Sequence, residues 1–221
     1  MAIDEISIKM KINGREKSLL NKIFILFIIF LIPLLESETV FINPFEGSQF
    51  FLQTSVRRNW LEHHGSLLSK EAKTALKSYQ KALRFKNALL CNRSPSVSLQ
   101  LDSIDKQLSE LIPQVNASRM DLVEQLTPHC QGIFQELFDE SHSIIPVLES
   151  SLPETSAEKV LEILKSQREK DILLGHARKG PHRDDLVFNF DGFNALEFCS
   201  LGQQKMVYLS LVFAYIELFR Y

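Results

Sequence analysis

Near the end of the sequence, small and polar residues stand directly before a long apolar segment. Ser200-Leu-Gly-Gln-Gln-Lys205 precedes Met206–Phe219, which contains no Pro or Gly and predicts a helix that is buried on nearly all sides. The first amides of a helix lack partners within it, and its dipole favours negative charge. A loop of this composition could therefore bind a phosphate. An ordinary helix cap formed by Ser200 explains the same residues.

A second polar cluster, Gly-Pro-His-Arg-Asp-Asp at 180–185, precedes a predicted β-hairpin. Leu186–Phe190 is rich in strand-forming residues, Asp191-Gly192 is a typical two-residue hairpin turn, and Phe193–Phe198 predicts the returning strand. The charged residues around this cluster are Arg178, Lys179, Arg183, Asp184 and Asp185. A functional site and a salt bridge at the start of the hairpin are both open explanations.

One predicted helix, Ser69–Leu90, carries cations on a single face. Its apolar residues recur at three- and four-residue steps. Its cations fall on roughly the opposite face: Lys70, Lys73, Lys77, Lys81 and Arg84. Glu71 is the only acid in the segment. A stripe of one sign could hold a phosphate backbone or an acidic partner, and a plain solvated surface explains it too.

A second long helical pattern, Leu101–Phe138, follows a short polar loop, so the two helices should form an antiparallel hairpin. Pro113 and Pro128 are expected to kink or break the second helix.

Shorter elements are predicted on both sides of this hairpin. Strands are expected at Ile6–Ile12, Thr39–Pro44, Ile144–Leu148 and Asp171–Leu174. The pattern of Ser156–Lys170 predicts a charged helix.

The segment Ile23–Leu35 contains thirteen apolar, uncharged residues. As a helix it would extend ~20 Å, against ~30 Å of bilayer hydrocarbon. A buried strand or core segment is the main prediction. A short membrane-spanning helix and a secretory signal are the alternatives, although no small-residue cleavage site follows.

The composition is that of a globular protein of one large or two small domains. The 221 residues are 45% hydrophobic and 24% charged, with a net charge of −2, so any contact with nucleic acid must be local. The three widely spaced cysteines predict no disulfide framework and fit a reducing cytoplasm. No group of residues has zinc-ligand spacing, so no metal site is predicted.

Several of these motifs, in this order, resemble bacterial RecF, the recombination and repair ATPase of the ABC/SMC class. The resemblance rests most specifically on Gly180–Asp185 followed by Ser200-x-Gly-Gln-Gln-Lys205. Tyr79–Leu90 and Arg57-Arg58-Asn-Trp-Leu-Glu62 also resemble family segments, as do Asn13-Gly14 and Asn43-Pro44.

The resemblance implies an α-rich α/β fold, namely a partial ABC-ATPase head of the P-loop NTPase type with an antiparallel helical-hairpin arm and a signature-motif helix. It implies a strand-rich part of the head at 1–56, the arm at 57–150, and a return to the head at 151–221. It further implies a cytoplasmic homodimer that binds single-stranded or gapped DNA and works with other recombination-mediator proteins, without stable membrane association.

The resemblance also assigns site residues. The signature motif, which binds the γ-phosphate of an ATP held by the other protomer, would comprise Ser200, Gly202, Gln203, Gln204 and Lys205. An interface or nucleotide-adjacent loop would comprise His182, Arg183, Asp184 and Asp185. DNA contacts would come from Arg57 and Arg58 together with the Lys70–Arg84 stripe.

No Gly-x-x-x-x-Gly-Lys-Ser/Thr occurs in the sequence, and no Walker B strand follows the signature segment. ATP and Mg²⁺ are therefore expected only if a partner chain or a further segment supplies those motifs. Two alternatives remain open. One is a helical adaptor anchored to a membrane by Ile23–Leu35, and the other is a gene remnant without function.

Overall fold

The computed structural model describes residues 46–91 and 97–218. Over these residues the chain is mostly helical, with one small sheet. In chain order the elements are α1 Glu46–Leu52, α2 Thr54–Leu68, α3 Lys70–Cys91, α4 Val97–Leu137, β1 Ile144–Glu149, α5 Ala157–Leu174, a 3₁₀ turn Pro181–Arg183, β2 Asp185–Phe190, β3 Phe193–Asn194, α6 Ala195–Phe198 and α7 Leu201–Leu218. The predictions for Ile6–Ile12, Ile23–Leu35 and Thr39–Pro44 lie outside the described residues.

The sheet is antiparallel, in the order β1-β2-β3. β1 pairs with β2 from Ile144 opposite Phe190 to Glu149 opposite Asp185. The turn after β2 has positive φ at both central residues, 49° at Asp191 and 86° at Gly192, as the predicted two-residue hairpin turn requires.

Two short strand predictions are wrong. The strand β3 ends at Asn194, whose side-chain Oδ1 accepts from the Leu196 amide at 2.9 Å and starts the single-turn helix α6. The segment Asp171–Leu174 continues α5 to the left-handed cap at Gly175 (φ 73°). Buried Asp171 holds this last turn in place, because its carboxylate lies 3.3 Å from Lys86 Nζ and accepts the Arg178 amide at 3.1 Å.

Helix α4 runs without a break through Pro113 and Pro128. Of the expected kink or break, the break is therefore wrong, while a kink stays a prediction. Each proline removes one backbone hydrogen bond. The turns around both prolines are packed in the core, through Ile112 and Val115 at the first and Leu126 and Cys130 at the second. Tertiary packing therefore outweighs the local helix-breaking tendency.

The buried apolar residues form two clusters that share α4. The head cluster joins α1, α2, the C-terminal half of α4, the sheet and α7; its members include Phe50, Leu61, Leu122, Phe134, Phe188 and Leu211. The arm cluster joins α3, the N-terminal half of α4 and α5; its members include Tyr79, Leu90, Leu108, Ile112 and Leu164. The predicted helical hairpin and buried C-terminal helix are both confirmed, while the proposed domain limits at 56 and 150 stay a prediction.

Within the part of the chain that the structure describes, no helix is long and apolar enough to cross a membrane.

Candidate functional site

The loop before α7 is closed by a reciprocal pair of hydrogen bonds. The Gln203 amide donates to Ser200 Oγ at 3.3 Å, and the Ser200 amide donates to Gln203 Oε1 at 2.9 Å. This Ser-x-x-Gln arrangement is a capping box, which satisfies two helix-end donors at once. The cap explanation of Ser200 is thereby confirmed, and the hydroxyl needed for an anion site is held by its own helix.

The five residues expected at the signature motif do not share one environment. Ser200, Gly202 and Lys205 are exposed, and Gln203 is half-buried. Gln204 is only 8% exposed, and its Nε2 lies 3.2–3.4 Å from three carbonyl oxygens, those of Ala195, Leu196 and Cys199. This corrects the expectation for Gln204, whose side chain fastens α6 to α7 and does not face a ligand.

Arg57 is an internal anchor. Its side chain is buried, at 5% exposure, and forms two 2.7 Å hydrogen bonds with the Asp185 carboxylate, from Nε to Oδ1 and from Nη2 to Oδ2. Its Nη1 donates to the carbonyl oxygens of Phe50 and Phe51 at 2.7 Å each. This corrects the expectation that Arg57 contacts DNA, because all three guanidinium nitrogens are used to join α1, α2 and β2.

Asp184 is fully buried and paired with Arg119, which the sequence patterns did not identify as a site residue. Its Oδ2 lies 3.2 Å from Arg119 Nη1, and its Oδ1 accepts the Ser151 amide at 2.8 Å. Burial raises the pKa of Asp184, while the hydrogen bond from Ser151 and the charge of Arg119 act in the opposite direction. Arg119 also donates to Pro181 O at 2.7 Å and to Glu62 Oε1 at 3.1 Å.

His182 is held against α3 by Tyr79. The Tyr79 hydroxyl donates to His182 Nδ1 at 2.6 Å, and Nε2 donates to Ala177 O at 3.0 Å. This pattern requires the neutral ring with its proton on Nε2. Burial lowers the pKa of His182 to about 4 and raises the pKa of Tyr79.

The 180–185 loop therefore joins the arm to the head, and only Arg183 among its charged side chains is exposed. The salt-bridge explanation is confirmed, but the partners are Arg57 and Arg119 in place of the neighbouring cations. The sequence did contain a signal for Arg119, which follows Val115 by four residues and precedes Leu122 by three. A cation on the apolar stripe of a helix calls for a buried anion.

The predicted basic stripe is present on α3. Its members are all exposed: Lys70, Lys73, Lys77, Lys81 and Arg84. The opposite side of the helix is buried, and none of the five forms an ion pair with a described residue. Arg58 is half-exposed and donates to Asp184 O at 3.1 Å, so it braces the loop.

Among the described residues, no group of His, Cys, Asp and Glu could hold a metal ion.

Comparison with curated proteins finds relatives that are named DNA replication and repair protein RecF. The chain is 35% identical over 161 residues to the DNA replication and repair protein RecF of Marinomonas sp. (strain MWYL1). This alignment covers 72% of this chain and 42% of that protein. It is 34% identical over 148 residues to RecF of Hydrogenovibrio crunogenus, in an alignment that covers 64% of this chain and 39% of that protein. The chain thus spans less than half the length of these relatives. No protein-family model matches it.

Comparison with solved structures confirms the fold. A structure of the recombination mediator protein RecF with ATP, from the RecFOR pathway, superposes with a TM-score of 0.73 at 23% identity. The match covers 81% of this chain and 50% of the solved one. The fold expected from the resemblance, a partial ABC-ATPase head with a helical arm, is therefore confirmed for the described residues.

Proposed function

Because the chain is homologous to part of RecF, we propose that it acts in DNA replication and repair as the arm and signature-helix portion of an ATP-linked assembly on DNA. One observation carries the proposal. Ser200, Gly202 and Lys205 stand exposed at the N-terminal end of α7, while the body of that helix is buried in the head cluster. A rigid helix with an accessible first turn is suited to bind an anion in a fixed place.

The site would work by opening the capping box. The Gln203 amide donates to the Ser200 hydroxyl oxygen, and the Ser200 amide donates to the Gln203 side chain. When a phosphate approaches, the Gln203 side chain would leave the Ser200 amide, and the hydroxyl and first-turn amides would turn to the phosphate oxygens. Gly202 has no side chain to obstruct this approach, and Lys205, one turn further along, adds a positive charge.

The rest of the nucleotide site would come from outside these residues. They contain no Walker A sequence, so the phosphate-binding loop and the acid that holds Mg²⁺ would belong to a second copy, a related protomer or a further segment. The proposal thus places ATP between two protomers, in the cytoplasm, with other recombination-mediator proteins as partners and single-stranded or gapped DNA as the substrate.

The test is association that depends on nucleotide. The chain would be labelled and mixed with RecF of Marinomonas sp., with Mg²⁺ and either a non-hydrolysable ATP analogue or no nucleotide, and complex formation followed by sedimentation. We expect a complex only with the analogue. Ser200→Arg should abolish it by blocking the first turn. Lys165→Glu, an exposed change on α5, is the control. A complex that forms equally well without nucleotide, or that tolerates Ser200→Arg, would contradict the proposal.

A further inference from the structure

The three helices of the arm end close together, at a place that we call the arm tip: Cys91, Leu99 and the residues 172–175. Lys86 Nζ of α3 lies 2.9 Å from Asp105 Oδ1 of α4 and 3.3 Å from Asp171 Oδ2 of α5, so the three helices meet at this level. Further out, Cys91 Sγ at the end of α3 donates to the carbonyl oxygen of Gly175 at 3.3 Å. The arm tip is therefore built from three separate segments of the chain.

The large side chains at the arm tip are apolar and exposed. Leu99 and Leu173 are 79% and 77% exposed, and Ile172 is exposed as well. Arg168 Nη2 of α5 lies 2.8 Å from Asp102 Oδ1 of the antiparallel α4. Leu99 precedes Asp102 by three residues and Ile172 follows Arg168 by four, so both lie one turn beyond this ion pair, on the same side of the arm. A single exposed leucine is ordinary, whereas a contiguous apolar patch marks an interaction site.

Free cations surround the apolar patch. Lys170 precedes it on α5, and the loop after α5 adds Arg178 and Lys179. The Arg178 amide donates to Asp171 Oδ1 at 3.1 Å, which holds this loop against the last turn of α5. None of the three cations forms an ion pair with another described residue, and the unpaired carboxylate nearest to them in sequence is that of Glu169. Three cations against one free carboxylate leave the rim of the patch positive.

We infer that the arm tip binds an acidic segment of a partner protein, whose apolar side chains cover the leucines and whose carboxylates meet the cations of the rim. An apolar centre within a charged rim is the usual composition of a protein interface. A second copy of this chain is a poor occupant, because two positive rims would repel each other. A nucleic acid is a poor occupant too, because a leucine offers no ring on which a base could stack.

This surface is separate from the site of the proposed function. The arm tip lies at the N-terminal end of α4, whereas α7 and its first turn pack against the C-terminal half of the same helix. Neither the signature segment nor the cationic stripe of α3 belongs to it. The inference therefore adds a docking site for a further protein to an arm that the proposed function uses only as part of the assembly.

The inference is tested with the full chain alone. Random short peptides displayed on phage would be selected in parallel on the parent chain, on the tip variant Leu99→Ser with Leu173→Ser, and on Leu52→Ser. The last variant is the matched control, because Leu52 is 76% exposed and lies in the head. We expect peptides that are enriched on the parent and on the control but not on the tip variant. These peptides should combine Asp or Glu with Leu, Ile or Phe.

The charge of the rim is tested separately by fluorescence anisotropy with one such peptide. Lys170→Glu with Arg178→Glu should weaken its binding by about tenfold or more, whereas Leu52→Ser should change it by no more than about twofold. The parent's affinity should fall as salt is added, and the charge variant should lose this dependence. All the substituted side chains are exposed, so each variant should keep the circular dichroism spectrum of the parent.

Three outcomes of these experiments would overturn the inference. They are the lack of any peptide that distinguishes the parent from the tip variant, distinguishing peptides that are basic or uncharged, and full affinity in Lys170→Glu with Arg178→Glu. Sedimentation with vesicles of phosphatidylglycerol and phosphatidylcholine is a fourth check. If the parent chain sediments with them and the tip variant does not, the patch belongs to a lipid surface and the inference is wrong. Because neither nucleotide nor a second protomer is present, these experiments and the association test of the proposed function fail independently.

Discussion

Arg119 and Asp184 form a buried ion pair where the two apolar clusters meet. Arg119 Nη1 lies 3.2 Å from Asp184 Oδ2, and the two residues are 2% and 0% exposed. Along α4, Val115 belongs to the arm cluster and Leu122 to the head cluster, with Arg119 between them. The pair therefore ties the loop before β2 to the point of α4 at which the arm joins the head.

Loss of the Arg119 cation should destabilise the fold strongly. In Arg119→Met, Asp184 keeps its hydrogen bonds from Ser150 and Ser151 but loses its counter-charge, and Glu62 loses an ion-pair partner. Removing one partner of a buried pair costs ~3–5 kcal/mol. Urea unfolding followed by circular dichroism measures the change. The control Arg183→Met alters an exposed arginine of the same loop and should cost no more than ~0.5 kcal/mol. Equal values for the two variants would show that the pair contributes nothing.

Substitutions at Gly180 and Tyr79 should have coupled effects on the free energy of unfolding. Gly180 has φ 130°, which side-chain-bearing residues rarely adopt, and a Cβ placed there would lie 2.9 Å from the Tyr79 hydroxyl oxygen. Gly180→Ala should therefore cost ~1–3 kcal/mol for the backbone and more for the clash. Tyr79→Phe alone should cost ~1–3 kcal/mol, because His182 Nδ1 loses its donor.

The double variant separates these two effects. In Gly180→Ala with Tyr79→Phe the clash is absent and the backbone cost remains. Its free-energy loss should fall below the sum of the single losses by more than ~0.5 kcal/mol. Unfolding measurements on all four proteins complete the cycle. Additive losses would mean that the hydroxyl does not limit the space at Gly180.

Much of the fold follows from periodicity and turn chemistry. The alternation of Leu186–Phe190, the Asp191-Gly192 turn and the stripe of α3 each have one physical solution, and each was predicted correctly. The short apolar runs at 171–174 and 195–198 were misassigned as strands, because a few apolar residues fit a strand or a helix end equally well. Their state is decided by contacts outside the run, from Lys86 to Asp171 and within the Asn194 cap.

The site was harder to predict than the fold. The sequence identified the 180–185 cluster as unusual and Ser200 as a cap, since both are local. It could not pair Asp184 with Arg119, which lies 65 residues away, or Asp185 with Arg57, which lies 128 residues away. Such pairs depend on how α2 and α4 pack, and a pattern along one segment does not contain that information.

The adjacent glutamines Gln203 and Gln204 should differ in their effect on stability. Gln204→Ala removes a buried amide that three carbonyl oxygens share, so we expect a loss of ~1–3 kcal/mol. Gln203→Ala removes only the side-chain half of the capping box and should cost less than ~1 kcal/mol. Thermal unfolding of the two variants side by side tests this order. A larger loss of stability for Gln203→Ala than for Gln204→Ala would contradict the conclusion that Gln204 holds α6 against α7.

His182 should make the fold less stable in mild acid. Burial lowers its pKa from 6.5 to about 4, so the unfolded chain takes up this proton at a higher pH than the folded chain does. The contribution to stability is therefore complete above pH 6.5 and is lost as the pH falls from 6.5 towards 4, by at most ~1.4 kcal/mol per pH unit. His64, whose pKa burial also lowers to about 4, contributes in the same direction.

The His182 contribution can be isolated by difference. Unfolding free energies would be measured between pH 7 and pH 4 for the parent chain and for His182→Gln, which has no proton to gain. His64 and Asp184 are present in both proteins, so their contributions largely cancel, and the loss between pH 6.5 and 4 should be smaller in the variant by up to ~3 kcal/mol. His63→Gln, at an exposed position on α2, should keep the parent profile. Parallel profiles for the parent and His182→Gln would mean that the His182 ring reaches water and is protonated in place, which the bonds to Tyr79 and Ala177 argue against.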